Sequence, residues 1–135
     1  MQGVLCGCGL GLEFPIRHLA HRLIAECYSR EVIVPGVSTT DDVMCYYWKR
    51  AAALGVEPSF KPFFGIARSD AAKARHGADD KVIRLFDMLR CDVGNKCLRL
   101  NSDHQQAAYV LGLGEVDEQV GLRHLMDECT GLQDI

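Results

Sequence analysis

Asp92 and Asp103 stand eleven positions apart within the stretch MLRCDVGNKCLRLNSDHQQAAYVL, residues 88–111. Each acid sits in a run that reads as a β-strand, with aliphatic, aromatic and β-branched neighbours. If the two runs form an antiparallel hairpin turning at Cys97 and Leu98, the acids face each other directly. Directly opposed residues have Cβ atoms about 4.5–5.5 Å apart. Carboxylates that close repel unless a proton or a cation lies between them. A pair of divalent ions about 3.5–4 Å apart suits such a gap. The plainer reading is two solvated acids on the open face of a sheet. The flanking pattern argues for partial burial: Cys91 and Val93 turn to the face opposite Asp92, while Ala107, Tyr109 and Leu111 continue the face of Asp103. A buried acid needs a partner.

The elements that must position this pair follow from periodicity. Met1 to Phe14 is rich in Gly and Cys and reads as an irregular arm. It lacks the basic start and long apolar stretch of a signal peptide. Pro15 is expected to open the first helix. Ile16, Leu19, Ala20, Leu23, Ile24, Cys27 and Tyr28 form its apolar face. His18 and His21 fall on the polar face with Arg17, Arg22 and Glu26, and are expected to be solvated. That helix is expected to end near Val34, before Pro35-Gly36. Thr39 or Thr40 caps a second helix with Asp41 and Asp42 in its first turn. Val43, Tyr47, Ala51 and Leu54 are its buried stripe, and Gly55 ends it. Ser59 to Ile66 reads as a strand interrupted by Pro62. Residues 67–80 read as a polar loop carrying His76-Gly77. Gly112-Leu113-Gly114 lacks the spacing and lysine of a phosphate-binding loop. A last helix is expected from Asp117 through Leu125 and Met126 to Cys129, with His124 an incidental member.

Composition sets the outer bounds. The 135 residues are 48% hydrophobic and 24% charged, ordinary for one globular domain. A net charge of −3 argues against a general nucleic-acid surface. No stretch is long and apolar enough to span a bilayer. Seven cysteines cannot all pair within the chain, so reduced thiols and a cytoplasmic location are the simplest expectation. Cys6 and Cys8 have no second pair at zinc-finger spacing.

Several motifs together resemble the pita-bread metallopeptidases, the family of Xaa-Pro aminopeptidase, prolidase, methionine aminopeptidase and creatinase. Cys91-Asp92-Val93-Gly94 followed by Asn101-Ser102-Asp103-His104-Gln105-Gln106 is similar to that family's first metal-ligand hairpin. Glu31 to Thr40 is similar to its connection between helices. The resemblance spans roughly residues 16–135, and it departs at Leu85-Phe86-Asp87, where the family has Pro-Gly-Asp. It implies an α/β (α+β) fold: half of a pita-bread domain over residues 15–135, with two N-terminal helices, an antiparallel sheet and a C-terminal helix. It implies Asp92 and Asp103 as metal ligands, with Mn, Co or Zn as the metals. It also implies His76, sixteen residues before Asp92, as a catalytic and substrate-contacting histidine. The family's ligand set is two Asp, then a His and two Glu from a second, similar half, and this sequence matches only the first half. The implied activity is therefore hydrolysis of an N-terminal Xaa-Pro bond in a peptide substrate, weak or lost in what reads as a truncated unit. A homodimer, one copy standing in for the missing half, is the expected assembly. The alternative is a non-catalytic binding or oligomerisation module on the same scaffold.

Overall fold

The computed structural model describes residues 9–115 and 120–133, with side chains described over 16–115 and at a few positions beyond. The chain is mixed helix and antiparallel sheet, of the α+β class. In order it runs α1 (Gly9–Cys27), α2 (Thr40–Ala53), β1 (Glu57–Pro58), β2 (Phe63–Ala67), α3 (Asp70–His76), β3 (Met88–Val93), β4 (Asn95–Cys97), β5 (Leu100–Asn101), β6 (His104–Tyr109) and α4 (Val120–Gln133). Two three-stranded sheets form, β2–β3–β6 and β1–β4–β5. Among the described residues no helix is long and apolar enough to cross a membrane.

α1 and α2 keep their sequence-predicted apolar faces, and α1 shifts both ends. α1 starts at Gly9, so residues 9–14 are helical and not an arm, and Pro15 lies inside the helix. Residues 1–8, with Cys6 and Cys8, lie outside the described part. α1 stops at Cys27, well before the expected Val34. The β-branched run Val32-Ile33-Val34 disfavours further helix. Ser38 instead holds that run in a turn: its Oγ accepts from the Val34 N–H at 2.9 Å and donates to the Val32 carbonyl at 3.0 Å. α2 begins with a capping box. The Thr39 hydroxyl accepts from the Asp42 N–H at 3.2 Å, and the Asp42 carboxylate accepts from the Thr39 N–H at 2.8 Å. Gly55, with φ at 69°, follows its last residues.

The core lies between the helices and one face of the β2–β3–β6 sheet. Leu19, Leu23, Ile24 and Cys27 of α1 meet Val43 and Tyr47 of α2, then Phe64, Leu89, Cys91 and Val93 of the sheet, with Ile83 closing one side. Of the expected strand at 59–66 only 63–66 is strand, within β2, which pairs β3; the separate β1 lies just before it and pairs β4 in the other sheet. Residues 59–62, ending in Pro62, make the switch. The expected loop at 67–80 contains α3, capped by Ser69, whose hydroxyl accepts from the Ala72 N–H. Residues 116–119 lie outside the described part, and the last helix is α4 from Val120.

A clasp of charges holds the loop that precedes β3. Arg68 forks onto Asp87 at 2.7 and 2.8 Å and reaches Asp80 at 2.8 Å. It also donates to the Val82 carbonyl. Arg84 adds a bond to Asp80 at 3.0 Å, and its N–H donates to Asp87 at 2.7 Å. The Arg68 and Asp87 side chains are each only 5% exposed. Asp87 is the acid of the departing Leu85-Phe86-Asp87 turn, and it fixes the chain one residue before β3 begins.

Candidate functional site

The two acids lie on one hairpin and on one face, but not opposite each other. β3 pairs β6 so that Asp92 faces Gln105 and Val93 faces His104. The same register runs on through Lys96–Asn101 and Cys97–Leu100. Carried through the break between the sheets, it sets Asp103 against Gly94, diagonal to Asp92. The turn is therefore at Leu98 and Arg99, one residue later than expected, and both take positive φ, 48° and 68°. That is the left-handed pair of a type I′ hairpin, made here without the usual glycine or asparagine. A one-residue shift of the turn moves the partner by two, so facing direction is kept.

Asn95, within the hairpin, ties this register to α2. It is fully buried and accepts from the Tyr47 hydroxyl at 2.6 Å. Its N–H donates to the Ser102 hydroxyl, and its carbonyl accepts from the Ser102 N–H at 2.8 Å. α2 thus clamps the point where the hairpin passes from one sheet to the other.

Asp92 is half-buried on the outer face of the sheet, and Asp103 is exposed. The Gln105 amide donates to Asp92 Oδ2 at 3.3 Å, while Oδ1 is secluded and has no hydrogen-bond partner among the described residues. Burial raises the Asp92 pKa first. The Asp103 charge and a carboxyl–carboxyl contact raise it further, against the lowering effect of Gln105. Two carboxylates both accept, so they cannot bond until one takes a proton or a cation.

A groove of about 480 Å³ opens above this face, lined by Phe63, Arg90, Cys91, Asp92, Gln105, Gln106 and Ala107. His76 does not line it; it is exposed at the C-terminal end of α3. The two-carboxylate donor set fits a hard, oxygen-preferring cation. Among the described residues no group of three or more His, Cys, Asp or Glu converges to complete a transition-metal site. Gln105 and Arg90 escaped the sequence reading as site residues. The alternation along β3 already put Arg90 on the face of Asp92, and that signal was available.

His21 is exposed, as expected, and also meets the sheet. Its ring meets His104 edge-on at 5.1 Å, and its Nδ1 contacts the Gln106 amide at 2.7 Å. Desolvation, helped by His21 and Arg17, holds the His104 imidazole below its ordinary pKa. Glu26, on the same helix face, joins Arg22, Arg50 and the Tyr46 hydroxyl. The cysteines whose surroundings are described, Cys27, Cys45, Cys91 and Cys97, are free thiols. No protein-family model matches the chain, and no curated protein matches it.

Proposed function

We propose that this chain is a pita-bread-like metallopeptidase half, resembling Xaa-Pro aminopeptidase, in which Asp92 and Asp103 hold a divalent metal. One observation carries the reading: two acids on one hairpin face, near enough for the Asp103 charge to raise the pKa of Asp92, with one Asp92 carboxylate oxygen secluded and unpartnered among the described residues. A bound divalent ion, of the family's Mn, Co and Zn the oxygen-preferring Mn fitting these carboxylates best, would supply an activated water and a polarised carbonyl. Asp92 and Asp103 would hold it, and Gln105 would orient Asp92. His76 keeps its family role as a substrate contact only if the loop carrying α3 comes to the groove. Hydrolysis needs further donors beyond the two acids, and among the described residues none converges on them, so the chain alone is proposed to be a weak or inactive peptidase.

Titration with Mn²⁺, followed by NMR line broadening, tests the site. Broadening centred on Asp92, Asp103 and Gln105, and lost in D92N and D103N, is expected. Broadening that is absent there, or indifferent to both substitutions, removes the metal reading. Vigorous release of the N-terminal residue from an Xaa-Pro peptide by the pure chain would contradict this weak activity.

A binding or oligomerisation module on the same scaffold is the second reading. It is favoured by the exposed outer sheet face, where Phe63 is 47% exposed, and by β2 and β6 both being edge strands. Twofold self-association would cover that face, with an interface above roughly 1,000 Å² in total. Sedimentation at micromolar concentration decides it, and a clean 15.0 kDa species counts against the dimer.

A further inference from the structure

The groove over Asp92 has a cationic end as well as an acidic one. Arg90 stands two residues before Asp92 on β3, so both point to the outer face. Its guanidinium carbon lies 5.4 Å from the centroid of the Phe63 ring. The ring reaches that place because Gly65 has no side chain. A Cβ at residue 65 would come within 2.5 Å of the ring. Gly65 on β2 and Ala107 on β6 are the residues paired with Arg90. Both flanks are therefore small, and the guanidinium is left open to the groove. Arg90 is exposed and forms no ion pair among the described residues, in contrast to Arg22, Arg50, Arg68 and Arg84.

Stacking on an aromatic face fixes the plane of a guanidinium and leaves its N–H edge free to fork onto a carboxylate. Residues i and i+2 of a strand lie about 6.6–6.8 Å apart. Two extended peptide residues span about 7 Å. The geometry points to Arg90 as the carboxylate-recognising residue of this groove, taking the free carboxylate of a zwitterionic ligand about two residues long. The other end of that ligand lies at Asp92, the acid that lines the groove. The acidic end rests on the proposed function; the contact at Arg90 does not require the metal.

Glycylalanine and its C-terminal amide are the probes, each titrated into the full chain without metal and followed by NMR at the Arg90 Nε–H and the Gln105 side-chain amide. The free acid is expected to bind about tenfold or more tightly than the amide, as one charge-assisted fork implies. R90Q should abolish that preference and R90K should keep part of it. Because Arg90 is exposed, an unchanged amide spectrum elsewhere verifies that the variants fold. Equal binding of acid and amide, no binding of either, or a preference that survives R90Q overturns the assignment. The Mn²⁺ titration separates the two ideas. A chain that prefers the acid but takes up no Mn²⁺ at Asp92 keeps the Arg90 site and loses the peptidase reading. A chain that takes up Mn²⁺ there and does not distinguish acid from amide loses only the Arg90 assignment.

Discussion

Replacing Asp87 with alanine removes the most buried member of the clasp that sets β3. Three bonds disappear at once: the two from the Arg68 guanidinium at 2.7 and 2.8 Å and the one from the Arg84 N–H at 2.7 Å. The Arg68 side chain is 5% exposed, so its charge cannot recover full hydration. It keeps Asp80 and the Val82 carbonyl, which limits the damage. Breaking one partner of a buried pair costs about 3–5 kcal/mol. A domain of this size holds about 5–15 kcal/mol in all, so Asp87→Ala should remove a large share of its stability. The matching fall in midpoint temperature is roughly 10–20 °C. Urea unfolding followed by circular dichroism measures the loss, and hydrogen exchange locates it. Protection should fall first at Met88 to Val93, because the Val110 N–H donates to the Asp87 carbonyl and the Phe86 N–H to the Val110 carbonyl beside the substituted side chain. The companion variant R68M/D87A removes the stranded cation and should regain part of the loss. A loss under about 1 kcal/mol for Asp87→Ala would mean that the pair is solvated and merely decorates the loop. A double variant no better than the single one would show that the stranded charge is not the cause.

Two further outcomes follow from the charges. Asp103→Asn should lower the Asp92 pKa toward its ordinary 3.8, read by carboxyl-carbon NMR, because one of the causes that raise it is gone. A raised folded pKa means that the metal-free fold loses stability as pH climbs through the Asp92 titration. The substitution should return about 0.2–1 kcal/mol at neutral pH, and an unmoved Asp92 titration would contradict their contact. At Asp80, burial raises the pKa, but bonds from Arg84, the Val82 N–H and Arg68 outweigh it and hold the carboxyl at about 2. Its contribution is therefore complete above 3.8 and is lost as pH falls from there to about 2. Acid unfolding should be steeper in that window for the parent than for D80N, and equal slopes would remove Asp80 from the clasp's acid sensitivity.

The sequence determined the local structure wherever one short-range rule had no competitor. The 3.6-residue stripe of Val43, Tyr47 and Ala51 and the Thr39–Asp42 box were readable because capping and helical periodicity act within a few residues. The common facing of Asp92 and Asp103 was readable for the same reason, since strand alternation survives an error in the turn. The turn position was not readable. Cys97-Leu98-Arg99-Leu100 carries no glycine or asparagine, and its register comes from Asn95, bonded to Tyr47 from a helix forty-eight residues away. The Arg68–Asp80–Asp87 clasp was hidden for the same physical reason: the charges lie up to nineteen residues apart and look like an ordinary polar loop until folding buries them together. His21 is exposed as its helix position implied, but its contacts with His104 and Gln106 were not readable, because helical periodicity describes only its own helix and β6 brings those residues to it. Local rules fixed which way each side chain points along its own element. Burial of distant polar partners in one low-dielectric interior, where an unpaired group is costly, decided which of them meet.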